Sequence, residues 1–344
     1  MRPRLALCSP MALPALGLAV SLLALGACGS DKKKLPETTA AAETTAATTE
    51  TTIGAPIETT TAGAPETSAG GTPETTAFAP ESTGAAAAAP SAAAGDCAVD
   101  KLQLVKAGQL TIGTDKPAFA PWFSNNDPTN GKGFESAVGY AIASQMGFTK
   151  DQVKWTVVPF NSSYAPGKKD FDFDLNQISI TDDRKKTVDF SDGYYDVNQA
   201  VVALNGTKAA DAKSIADLKA LKFGAQVGTT SLDFIKQTIA PTQEAFAYDD
   251  TNAAKAALTA KQIDAVVVDL PTAFFISAAE IPNSKVVGQF AGAGGGEQFG
   301  ALFEKGNPLV GCVNTAIQSL KSGGKLAQIQ DAELAQATSA PVLS

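Results

Sequence analysis

Along residues 110–330 the spacing of apolar positions switches repeatedly between the period of a strand and that of a helix. Leu110-Thr111-Ile112-Gly113-Thr114-Asp115 alternates apolar with small or polar residues and predicts a strand running into a loop. Pro117, Phe119, Pro121 and Trp122 hold that loop extended and put aromatics at its tip. From Gly133 onward Phe134, Ala137, Val138, Ala141, Ile142 and Met146 recur at helical spacing, and Gly147 ends the helix. Strands are predicted again at 153–158 and 197–204. A second cycle follows, with helices at 214–221, 230–240, 251–260 and 271–279, the last opening on Pro271 in its first turn. Between them lie strands at 222–226, 245–248 and 263–268, the last β-branched and wholly apolar between Asp264 and Asp269. A strand at 285–287, a glycine-rich run at 292–296, an apolar strand at 298–303 and two helices at 308–321 and 324–330 complete the pattern. Such alternation predicts an α/β fold with mostly parallel sheets and ligand sites at the C-terminal ends of strands.

The front of the chain reads differently. Arg2 and Arg4 precede an apolar stretch over 5–25, and small residues follow, as in a secretory signal over 1–27. Its ending, Leu25-Gly26-Ala27-Cys28, resembles a bacterial lipobox, which implies that Cys28 carries lipid and anchors the chain to the outer face of the membrane. Pro10 and Pro14 oppose a clean spanning helix there. Residues 28–95 are rich in Thr, Ala, Pro, Glu, Ser and Gly, with Phe78 as the single aromatic. Too little can be buried there to offset chain entropy, so this reads as a disordered stalk.

Charge and composition narrow the chemistry. The chain is acidic, at a formal net charge of -8, and has no basic stripe, which argues against nucleic acid as a partner. It contains no histidine, which removes histidine-based catalytic triads and the usual zinc sites. No cofactor or metal is expected, and the working form is expected to be a monomer. Of the four cysteines, Cys8 leaves with the signal and Cys28 takes the lipid. Cys97 and Cys312 are left at the two ends of the folded part, and in an oxidising compartment they are expected to pair.

One stretch carries most of the chemistry, Asn176–Tyr195. A strand end (Ile178, Ile180) passes through Ser179 and Thr181 into a turn bearing Arg184. Hydroxyls, free backbone N–H groups and a guanidinium at one point suit a carboxylate. The same pattern also fits a capped surface helix with a solvated charge run.

Together these blocks resemble the bacterial extracellular solute-binding proteins, family 3, which deliver polar amino acids to ABC importers. The matching stretches are 110–115 with Pro121-Trp122, Gly133-Phe134-Glu135, 179–192 with Tyr194-Tyr195, 227–231, 264–269 and 306–310, in family order across 96–330. The resemblance implies a periplasmic-binding-protein-like α/β fold of type II, two α/β lobes joined by two crossing strands. Lobe one would span 96–200 plus 300–344 and lobe two 205–295, with crossings near Val201–Leu204 and Gln298–Phe303 and the glycines acting as a hinge. It implies an amino-acid ligand, an ABC permease with its ATPase as partners, and capture without chemistry. Arg184 would take the ligand carboxylate, with Ser179, the Thr181 backbone N–H and Thr230 adding donors, and Asp269 would accept the α-ammonium. Asp269 could instead cap the helix ahead of Pro271. Phe119 or Trp122 would stack on the ligand side chain, Trp122 being equally suited to the core, and Asp115 would favour an amide or cationic side chain, while Lys116 beside it could instead pair with an acidic one. Glu135 stands where the family usually has Asp, and Gln177 where a small hydroxyl residue is common. Two other readings use the same scaffold, a dehydratase-type enzyme with Glu135, Asp115 or Asp269 as its acid, and a ligand-sensing subunit of a membrane receptor.

Overall fold

The structure, a computed structural model, describes residues 95–290, 296–335 and 340–344. The expected signal over 1–27, the expected lipid site at Cys28, nearly all of the expected stalk and most of the glycine-rich run lie outside the described residues. In chain order the strands are β1 (Leu110–Thr114), β2 (Val153–Val157), β3 (Phe173–Asp174), β4 (Val188–Phe190), β5 (Tyr195–Asp196), β6 (Gln199–Leu204), β7 (Phe223–Gln226), β8 (Phe246–Tyr248), β9 (Ala265–Asp269), β10 (Ser284–Phe290), β11 (Gln298–Phe299) and β12 (Leu302–Glu304). The α-helices are α1 (Phe134–Gln145), α2 (Phe160–Ser163), α3 (Ile215–Leu218), α4 (Thr230–Phe234), α5 (Thr251–Thr259), α6 (Leu270–Phe275), α7 (Leu309–Ser322) and α8 (Lys325–Glu333).

These elements form two α/β lobes, each built on a five-stranded sheet, ordered β2-β1-β3-β12-β4 in lobe one and β10-β6-β9-β7-β8 in lobe two. β1 runs parallel to β2 and β3, and β7 runs parallel to β8 and β9. The sheets are mixed rather than mostly parallel, because β12 is antiparallel to β3 and β4, and β6 to β9 and β10. Both antiparallel strands follow a crossing between lobes. A chain arriving from the side where the parallel strands end has to run back against them.

The first crossing lies earlier than the sequence suggested. β5 and β11 pair antiparallel as a separate two-stranded ribbon, Tyr195 opposite Phe299 and Asp196 opposite Gln298. Val201–Leu204 is no crossing. It belongs to β6, whose every residue is buried. Val201 and Ala203 enter the core on one face of the lobe-two sheet, Ala200, Val202 and Leu204 the core on the other. A continuous apolar run buried on both faces marks an interior strand. The predicted strand at 298–303 is likewise two strands, β11 in the ribbon and β12 in the lobe-one sheet. The end of the chain also departs from the expected lobe-one assignment. Gln289 N donates to Pro341 O at 2.7 Å, Leu343 N donates to Gln289 O at 2.9 Å, and Leu343 is buried in lobe two.

α1 starts where the loop pattern placed it. Its N-cap, Gly133, has φ +88°, and a Cβ there would stand 2.6 Å from the Trp122 carbonyl oxygen, so only glycine admits this approach. Phe134, Val138 and Ile142 pack in the lobe-one core with Val313, Ile317 and Leu320 of α7. Cys97, in the opening turn Gly95–Cys97, is bonded to Cys312 of α7, with Cα atoms 5.5 Å apart.

Candidate functional site

The C-terminal ends of β1 and β3 in lobe one, and of β7 and β9 in lobe two, converge on one cavity between the lobes. It measures ≈ 60 Å³ and is lined from lobe one by Asp115, Phe119, Phe160, Asn176, Gln177 and Arg184. Lobe two closes it with Thr230, Thr251, Asp269 and Thr272 among others. Three contacts hold the lobes together around it. Arg184 Nη2 donates to the Gly228 carbonyl at 2.9 Å, Ser179 Oγ lies 3.3 Å from Thr230 Oγ1, and Trp122 Nε1 donates to Thr272 Oγ1 at 2.8 Å. Gly228 (φ +76°) fits against Tyr164 and Asn161 of the other lobe so closely that a Cβ would come within 2.3 Å of the Tyr164 hydroxyl oxygen.

Arg184 is fixed from several sides. Its backbone N–H donates to Thr181 Oγ1 at 3.2 Å, which sets the turn after the strand. Nη1 donates to the Ser179 carbonyl at 2.7 Å. The guanidinium carbon lies 5.0 Å from the Tyr164 ring centroid and 5.5 Å from that of Phe160. Only 8% exposed, the group has its pKa lowered by burial, while Tyr164 and Glu297 oppose the shift. An arginine so lowered stays charged, and the rest of its edge is available for an anion.

Across the cavity, Asp269 ends β9 and accepts from Gln199 Nε2 at 3.0 Å. Burial, and then the neighbouring Glu297, push its carboxyl well above the usual range. It precedes α6, yet its side chain makes no capping hydrogen bond. Asp115 accepts from the Lys116 and Phe160 backbone N–H groups at 2.6 and 3.2 Å. Phe119 carries the Lys255 ammonium 5.5 Å from its ring centroid, and that lysine is bonded to Glu280 at 2.7 Å.

Arg184, Asp269, Thr230, Phe119 and Asp115 thus line a single cavity. Three other candidates do not line it. Trp122 is fully buried and meets Phe134, Tyr195 and Phe299 edge to face, so it belongs to the core, with its indole N–H reaching the other lobe. The Ser179 hydroxyl donates to Glu297 Oε1 at 2.5 Å, and Thr181 serves the Arg184 turn. Residues passed over by the sequence reading include Phe160, Asn176 and Gln226. Gln226 ends β7, where the rule of strand C-terminal ends would have found it.

Behind the cavity lies a second acidic group. Glu135, wholly buried in the first turn of α1, accepts from the Tyr194 hydroxyl, from the Gln177 side-chain amide, and from the Gln177 backbone N–H at 2.7 Å. Burial raises its pKa to about 7 against these donors. Asp174 is also wholly buried, and neither carboxyl oxygen has a hydrogen-bond partner. Burial and then Glu135 push it well above the usual range. A carboxyl that holds its proton longer folded than unfolded makes stability fall as pH rises through that window. Between pH 4.5 and about 7, Glu135 should therefore cost up to about 3 kcal/mol of folding stability. Denaturant titrations of native protein and Glu135→Gln across this range should show a shallower decline for the variant. Parallel slopes would remove the assignment.

A bilobal α/β protein with residues from both lobes lining one cavity between them has the architecture of a periplasmic-type solute-binding protein. Residues 110–334 match the bacterial extracellular solute-binding proteins, family 3, and the chain belongs to that family. It is 33% identical over 235 residues to an L-arginine-binding protein of Pseudomonas aeruginosa, covering 64% of this chain and 89% of that one. The L-cystine-binding protein TcyJ of Escherichia coli is 26% identical over 227 residues, 65% of this chain and 82% of its own. Among solved structures, an ancestral arginine-binding protein bound to glutamine superposes with a TM-score of 0.56 at 30% identity, covering 65% of this chain and 97% of the other.

Proposed function

We propose that this chain is the lipid-anchored extracellular binding subunit of an ABC importer, capturing a polar amino acid with a basic or amide side chain. One observation carries the reading: a buried guanidinium, Arg184, and a partly buried carboxyl, Asp269, reach the same cavity from opposite lobes. Opposite charges so arranged match the two ends of a zwitterion. Arg184 takes the α-carboxylate, with Thr230 beside it, and Asp269 takes the α-ammonium. The ammonium places a positive charge beside Asp269 and so favours the ionised form of its carboxyl. Phe119 and Phe160 flank the side chain, and Asp115 receives its polar end. The names of the arginine- and cystine-binding relatives support an amino-acid ligand, and the apolar start with Cys28 supports the anchor. The protein acts as a monomer alongside its permease and ATPase and leaves the ligand chemically unchanged.

A thermal-shift panel of the twenty amino acids tests this. At a hundredfold excess over Kd the correct ligand should stabilise by about 2.7 kcal/mol, or roughly 5–10 °C in Tm for a folded part of this size. Arginine, lysine or glutamine should stand out, and chromatography should recover it intact. A panel without any shift would defeat the reading, and a consumed ligand would favour the dehydratase alternative.

A further inference from the structure

Glu297 lies in the second crossing, directly ahead of β11. Its carboxylate is bonded to both lobes. Oε1 accepts from Ser179 Oγ of lobe one at 2.5 Å, and Oε2 accepts from Gln199 Nε2 of lobe two at 3.2 Å. The same Gln199 nitrogen donates to Asp269 Oδ1 at 3.0 Å, while Gln199 Oε1 accepts from Ser231 Oγ at 2.7 Å. Gln199 is almost wholly buried and cannot turn its amide without giving up all of these partners. Ser179, with its one proton given to Glu297, is left to accept from Thr230 Oγ1 at 3.3 Å.

We infer that Glu297 is a positioning residue of the binding site, fastening the lobes at the hinge and, through Gln199, fixing the Asp269 carboxylate. The inference rests on the role proposed above for Asp269. Glu297 does not line the cavity and acts through its partners. One carboxylate can hold a hydroxyl from lobe one and an amide from lobe two only while the two stand a carboxylate's width apart. That condition is met when the lobes are closed. Release of Glu297 removes one of the three partners that hold the Gln199 amide and so loosens the donor to Asp269.

Glu297→Ala and Glu297→Gln test this, with L-arginine and its des-amino analogue, 5-guanidinopentanoic acid, as calorimetric probes. The alanine variant should bind L-arginine at least about tenfold more weakly, the scale of one charged hydrogen bond. The analogue, which has no ammonium for Asp269 to hold, should lose less. Glutamine keeps an acceptor for Ser179 and should fall between, and it decides the matter should the alanine variant not fold. Small-angle scattering, with and without ligand, should show a larger radius of gyration for the variants. Native affinity together with an unchanged radius would overturn the inference, and equal losses for both probes would overturn the link to Asp269. If the native protein binds no amino acid, the functional reading fails on its own. The scattering comparison then still decides the latch, since equal radii refute it.

Discussion

Arg184→Ala should remove measurable amino-acid binding while leaving the fold in place. On the proposed reading the guanidinium forms the only cationic contact to the ligand carboxylate among the described cavity-lining residues. Truncating one partner of a buried charged pair costs about 3–5 kcal/mol, because the other charge is left desolvated, which weakens binding by about 10²–10³-fold or more. The lost contact to the Gly228 carbonyl of lobe two weakens lobe closure as well. Arg184→Lys retains the charge but forfeits the planar fork and the face it lays on Tyr164, so it should recover only part of the affinity. Calorimetry with the ligand found in the thermal panel reads this directly. Full affinity in the alanine variant would remove the carboxylate assignment.

The second large effect concerns stability. The Cys97–Cys312 bond closes a loop of 215 residues, nearly the whole of the described fold. Chain-entropy reasoning assigns about 5 kcal/mol to a loop of that length, and removal of such native bonds commonly costs about 2–5 kcal/mol. Cys97→Ser with Cys312→Ser should lower stability by that amount in denaturant titrations. Ligand affinity should change little, since neither residue lines the cavity. A variant with native stability would show that the N-terminal turn is held to α7 by packing alone.

Legibility in the sequence followed physical distinctness. α1 was readable because helical spacing, a glycine start and a glycine stop agree with one another. Arg184, in the turn after Thr181, and Asp269, at the end of β9, stood out as charges beside apolar runs, and both line the cavity. The first crossing was misplaced because β5 is only two residues long, while the run after it looked like any apolar strand. Its burial on both faces, which excludes a crossing, depends on helices far along the chain. Trp122 was ambiguous for a related reason, since an aromatic at a loop tip fits pocket and core alike until its neighbours are known. Ser179 and Glu297 were the hardest. Their meeting spans 118 residues and depends on how the crossing strands pair, which local pattern does not encode.

The docking of residues 340–344 on lobe two gives the chain a third covalent link between its halves. Leu334 is seated in the lobe-one core and Ala340 packs against lobe two. β10 is the outermost strand of the lobe-two sheet, and with Gln289 bonded to Pro341 and Leu343 the chain's own end covers part of an edge that would otherwise be open to pairing with a foreign strand.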